Sequence, residues 1–231
     1  MANSNLNEEN RDALLDELET LQERCFDLQR HFRPSASVDQ EQLPWLKQGL
    51  LASHRDPNAR GRILPMHHPA YVTEKTKWSQ ADTQAIRNHL RDVFDEVASS
   101  LGGARNSPLV DLVLSGHAHC MEVLRTHETG HADREINWVI CGGSGYGLRM
   151  QRREGPELIE QDEAGNSSVI ASNNLFIGRN WNGTAEGDAY SGLRIDIAEG
   201  KPLRMSLTPL VSSRTSKGWV DAEPAPITLG D

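Results

Sequence analysis

Cysteine is scarce and scattered. Cys25, Cys120 and Cys141 form no C-x-x-C pair and no even-numbered framework. That argues against a disulfide-stapled domain or a thiolate zinc site and favours a reducing compartment. No apolar run approaches the ~18 residues of a membrane-spanning helix. Positive charge is short as well: 24 Lys and Arg against 33 Asp and Glu leave a net charge of −9. Such a balance argues against a nonspecific nucleic-acid binder, whose affinity would come from Lys and Arg. The opening Met1-Ala2-Asn3-Ser4-Asn5-Leu6 has neither the basic flank nor the apolar core of a signal peptide, so a cytoplasmic location is expected.

Within these bounds the chain is patterned enough to divide. Residues 8–32 read as an amphipathic helix, because Leu14, Leu18, Leu21, Cys25, Leu28 and Phe32 alternate at spacings of four and three. The seam suits a helix docked on its own domain or one that pairs with another chain, and residues 1–34 are taken as a helical arm or insertion. A second helix is expected between Asp39 and Ser53, with its first turn close to Pro44, where a missing N–H does no harm. Ile63 to Met66 suggests a short strand. Ser79 is placed as the cap of a helix that runs to about Leu101 on the stripe Ile86, Leu90, Val93, Phe94, Val97 and is stopped by Gly102-Gly103.

Leu109 to Leu114 is apolar enough for a central strand, and Met121–Arg125 and Ile136–Cys141 are further strand candidates. After Leu158 the helical pattern gives way to short β-like runs at 168–171, 175–178, 193–197 and 203–210, separated by Gly, Asn and Asp turns. Residues 221–231, acidic and rich in proline, are expected to form a loose tail.

Two histidine clusters stand out against this frame: His67-His68-Pro69 and Gly116-His117-Ala118-His119. Each follows an apolar run, at a strand end where metal and phosphate sites are commonly built. Neutral imidazole binds Zn, Fe and Mn at pH 7. On an extended strand the spacing of His117 and His119 would put both rings on one face, whereas a loop lets them diverge. His-x-His alone more often marks hydrogen-bonded surface or core histidines. Cys120 reads as a small core residue, Gly142 to Gly147 as a turn near which Arg149 is an anion contact, and Arg179 and Trp181 as surface.

The order of these elements adds weight. A strand feeding His-His-Pro, a connecting helix, then a strand feeding Gly-His-Ala-His resembles the C-terminal half of the calcineurin-like metallophosphoesterases, the superfamily that includes the purple acid phosphatases. The run Asp39 to Leu50 with Gln42, Trp45 and Leu46 resembles the helix before the His-x-Pro element, and the likeness covers roughly residues 35–150.

The resemblance implies an α+β fold, the C-terminal portion of a four-layer α/β/β/α sandwich over 35–220. It also implies metal-dependent phosphoester hydrolysis, with His67, His117 and His119 as ligands of two divalent or trivalent ions (Fe, Mn or Zn). By the same likeness His67 and His117 share one ion and His119 serves the other, while His68 touches a phosphate oxygen. The partner implied is a phosphoester substrate.

The family's opening motifs, Asp-x-His, Gly-Asp-x-x-Asp and Gly-Asn-His-Asp/Glu, do not occur between Met1 and His67. The expectation that follows is the downstream part of a longer enzyme, or an enzyme whose missing half comes on a separate chain, inactive alone. The alternative is a non-catalytic relic or interaction module that docks through the heptad helix.

Overall fold

The structure is a computed structural model that describes Leu14, Glu17, Leu18, Thr20, Leu21, Cys25 and residues 41–229 apart from 104–106, 146, 162–163, 182–186 and 202. The elements run α1 (Gln42–Arg55), β1 (Ile63–Pro65), α2 (Ala81–Ser100), β2 (Leu112–Ser115), β3 (Met121–Thr126) and β4 (Asn137–Cys141). β5 (Glu157–Gln161), β6 (Ser167–Ile177), β7 (Ala189–Ile197), β8 (Met205–Thr215), β9 (Gly218–Ala222) and β10 (Ile227–Leu229) follow.

Pro44 sits in the first turn of α1, where the backbone N–H groups have no intrahelical partner for proline to remove. α2 buries Leu90, Val93, Phe94 and Val97, the expected stripe. Gly102 and Gly103 end it at positive φ (+101° and +89°), and the Gly103 N–H caps the Ala98 carbonyl at 2.9 Å. At the other end Gln80, not Ser79, occupies the cap position, with no side-chain cap bond.

Six strands form one sheet in the order β1-β2-β4-β3-β6-β5. β1, β2 and β4 are parallel; β3, β6 and β5 continue antiparallel. α2 bridges the parallel neighbours β1 and β2, as a crossover connection requires. Alternation along each strand then decides what faces what. Val113, Trp138 and Ile140 turn toward the helices and join Tyr71, Phe94 and Val97. Leu112, Val123 and Val139 turn the other way and pack against Met205, Leu207 and Leu229 of a second sheet.

That sheet has the order β10-β8-β7, with β9 also paired to β8. The described residues therefore build three layers: helices, six-stranded sheet, four-stranded sheet. The α+β class stands. Among the described residues no helix covers the outer side of the second sheet, where every residue of β9 is exposed.

Other differences have local causes. The strand expected over 109–114 begins at Leu112, because Arg62 and the Asp111 carboxylate close a turn before it (Arg62 N–H to Asp111 Oδ2, 2.6 Å). The runs at 168–171 and 175–178 are one strand, β6, bulged opposite both neighbours. β5 and β6 belong to the first sheet, and the chain crosses to the second sheet only at β7. The supposed loose tail is a correction: Ile227–Leu229 pairs with Met205–Leu207, and Leu229 is buried between the sheets.

The arm over 1–34 falls mostly outside the described residues. Leu14, Leu18, Leu21 and Cys25 are helical and exposed. No described helix is long and apolar enough to cross a membrane. Truncating Leu229 to Ala is expected to lower the unfolding free energy by ~2 kcal/mol or more, as for other buried leucines. Urea denaturation followed by circular dichroism measures this, and a midpoint unchanged from the native protein would mean that the C-terminal strand contributes nothing.

Candidate metal centre

β1 ends at Pro65, and the chain bends through Met66 to Pro69 instead of continuing as a strand. The bend decides the chemistry. In extended chain, His67 and His68 would point to opposite faces. Here their ring centres lie 4.7 Å apart. β2 ends beside them, tied by the Met66 N–H to Leu114 O bond (2.8 Å) and the Gly116 N–H to His67 O bond (3.0 Å).

After Gly116 the backbone makes two consecutive three-residue turns. Ala118 N–H bonds to Gly116 O at 2.7 Å, and Cys120 N–H bonds to Ala118 O at 2.9 Å. His117 is the middle residue of the first and sits at φ +62°. A side chain in the left-handed region costs on the order of 1–2 kcal/mol. That strain aims the His117 ring at the other cluster, 5.2 Å from the His67 ring centre and 4.0 Å from that of His68.

The ligand atoms of His67, His68 and His117 all lie within 4.8 Å of one another, with His67 exposed and the other two half-buried. No carboxylate joins this group among the described residues. His119, in the middle of the second turn, goes elsewhere. Its Nδ1 lies 3.1 Å from Gly147 O. A carbonyl only accepts, so Nδ1 is the donor and Nε2 carries the lone pair of the neutral ring. The structure thus gathers His67 and His117 as the resemblance implied, adds His68, and leaves His119 outside the group.

Arg149 is half-buried beside His119: its N–H bonds to His119 O at 3.0 Å, and its carbonyl accepts the Arg179 N–H at 2.9 Å. Trp181 is held by its Nε1–H on Gln151 O (3.0 Å) and flanked by the Arg153 guanidinium 4.3 Å from its ring centre. A cleft of about 420 Å³ lined by Arg60, Asp111, Glu135 and Lys201 contains none of the histidines.

Behind the rings, both histidine-bearing segments converge on one carboxylate that sequence reasoning passed over. Glu122, fully buried on β3, accepts the Thr73 N–H (2.7 Å), the Thr73 hydroxyl (2.7 Å), the Glu74 N–H (2.8 Å) and Asn173 Nδ2 (2.8 Å). The Cys120 thiol also points at it, at 3.4 Å. Burial pushes the Glu122 carboxyl up to about 7, against the pull of the Thr73 hydrogen bonds. Burial likewise pushes the neighbouring Cys120 thiol well up. A charged residue within the apolar run Met121 to Leu124, three residues after His119, was the signal available in the sequence.

Gly142 closes the arrangement. Its N–H bonds to Cys120 O at 3.0 Å, and a Cβ there would lie 1.9 Å from the Ala118 carbonyl oxygen, inside the turn between the two histidines. Only glycine fits without backbone movement.

As a test of fit, three imidazole nitrogens in one cluster suit a single divalent ion. The described residues do not furnish the bridging carboxylate of a two-ion centre. Comparison with known proteins finds no matching family and no matching curated relative.

Two expectations follow. Because the folded Glu122 carboxyl is raised from about 4.5 to about 7, its stabilising contribution is whole below ~4.5 and is lost as pH rises through ~7, an effect of roughly 3 kcal/mol. The difference in unfolding free energy between the native protein and Glu122→Gln, measured from pH 4 to 8, should fall across that window; a flat difference contradicts it. Gly142→Ala should force the turn at Ala118 to shift and lower the unfolding free energy by ~1 kcal/mol or more. A urea midpoint equal to that of the native protein would show that the turn tolerates the added carbon.

Proposed function

We propose that this chain is a metal-dependent phosphoester hydrolase of the calcineurin-like type, forming the C-terminal portion of a four-layer sandwich. The single observation that carries the reading is the meeting of His67, His68 and His117 at the carboxyl ends of two neighbouring parallel strands. An ion there would supply Lewis-acid polarisation of a phosphoryl oxygen and acidify water.

The chain's own residues orient and hold. His67 and His117 would bind the ion, and the Glu122 network fixes the segments that carry them. Arg149, adjacent to His119, would meet a phosphate oxygen, a role that guanidinium geometry suits. Under the family's two-ion scheme, His119 and acidic ligands from a further segment or a separate chain would complete a second site.

A second reading has an observation of its own. Leu14, Leu18 and Leu21 are helical and about half exposed, as expected of a non-catalytic module that docks on a partner through that helix.

Hydrolysis of an aryl phosphate and of a bis-aryl phosphodiester, with Zn²⁺, Mn²⁺ or Fe supplied in turn, separates the two readings. Turnover is expected with at least one ion when a further segment or a separate chain supplies the acidic ligands, and not from this chain alone. His117→Ala should reduce it ~100-fold or more, since even residues that merely orient a ligand cost ~10–100-fold. Absence of turnover with every ion, in this chain and in a polypeptide extended upstream, would leave the docking module as the better account.

A further inference from the structure

The geometry points to a carboxylate-free centre for one zinc-class ion, in which His68, not His119, is the third protein ligand. The role of that ion rests on the hydrolase reading; its binding and ligand set do not.

Three observations lead there. First, spacing. A Zn–N bond of ~2.0–2.1 Å plus ~1.2 Å to the ring centre puts the centres of tetrahedrally arranged imidazoles roughly 5 Å apart. The three rings stand 4.7, 5.2 and 4.0 Å apart. Two of these separations already match, and the third needs the His68 and His117 rings to part by about 1 Å, a small side-chain adjustment.

Second, the turn at Ala118–Cys120 carries His119 out of the group, since only His67, His68 and His117 bring ligand atoms within 4.8 Å of one another. His68 is brought in by the bend before Pro69. Residues adjacent in sequence seldom share an ion, because extended chain separates them. Here the chain has left the strand two residues earlier.

Third, the donors are chemically uniform. Imidazole nitrogen suits Zn, Co, Ni and Cu, whereas Mg and Mn prefer carboxylate and carbonyl oxygen, and affinity at nitrogen sites rises from Mn²⁺ toward Zn²⁺. Three neutral rings with a fourth position open is also the arrangement of a catalytic rather than a structural zinc site. The positive φ of His117 gives the cluster a reason to exist. Strain of this kind persists where the surroundings over-determine it, and functional sites are where it collects.

Titration of the full chain, stripped of metal, with Zn²⁺ and separately with Mn²⁺ in a calorimeter tests the assignment. Absorption of the Co²⁺-loaded protein serves as a second readout of coordination. One Zn²⁺ per chain is expected, bound at least ~100-fold tighter than Mn²⁺, together with the intense visible bands of four-coordinate Co²⁺. His68→Gln should weaken Zn²⁺ binding ~100-fold and bleach the Co²⁺ bands, while His119→Gln stays within about twofold. Unchanged circular dichroism and thermal midpoints of the metal-free variants separate ligand loss from misfolding.

Two Zn²⁺ per chain, equal losses in the two variants, no tighter binding of Zn²⁺ than of Mn²⁺, or Zn²⁺ binding only at millimolar concentration would each overturn the assignment. Zinc bound as described, with no phosphoester cleaved by this chain or by a polypeptide extended upstream, would instead sink the hydrolase reading and leave the centre standing.

Discussion

The buried carboxylate of Glu122 is the constraint on which the candidate centre depends. It lies on β3, a few residues beyond His117 and His119, and its oxygens accept from Thr73 and Glu74, a few residues beyond His67 and His68. An ionised carboxylate out of water would be destabilising by several kcal/mol if left alone. Backbone N–H groups, two side chains and a thiol offset much of that, because each is a donor already aimed at it. The Asn173 amide bridges Glu122 and the Thr73 hydroxyl and brings β6 into the same network. A small displacement of the loop at Thr73 and Glu74 is therefore resisted by β3 and β6.

From that anchor the local turns do the aiming. A strand that simply continued past Ser115 would deliver His117 and His119 to the same face. Two successive tight turns send them apart, and they are possible only because Gly142 lets the neighbouring strand end lie against the Ala118 carbonyl. The cost falls on His117, held in a backbone region that most side chains avoid. Packing, backbone strain and ring placement are thus one chain of cause, running from a glycine on one loop to an imidazole on another.

Much of this was legible in the letters, and the failures are instructive. Apolar periodicity located both helices and the parallel strands, because a buried stripe or run leaves a regular trace. It missed β5, β9 and β10, most of whose residues taken together are exposed and therefore carry no such trace; Leu229 was masked by the prolines and acids around it. The histidines at the strand ends were visible as motifs. Which of them share a site was not, since that depends on a bend after Pro65 and on turn hands that sequence spacing does not encode. Glu122 was hidden for the opposite reason: a lone charge in a strand reads as a solvent-facing residue unless its donors, 48 to 51 residues away in sequence, are already known.

The ligand set bears on the proposed chemistry through charge. Carboxylate ligands would offset much of a dication's charge, while three neutral imidazoles offset none of it. An ion so held would keep its full attraction for an anion in the remaining positions. Phosphate oxygens are such ligands, and Arg149, next to His119 through a backbone hydrogen bond, is a further positive group in the neighbouring segment. In a chain whose net charge is −9, a phosphoester is repelled by most of the surface and gains attraction only where positive charge is concentrated. The uniformity of the donors, which sets this cluster apart from the mixed ligand set the resemblance implied, is therefore what would let an acidic protein hold an anionic substrate.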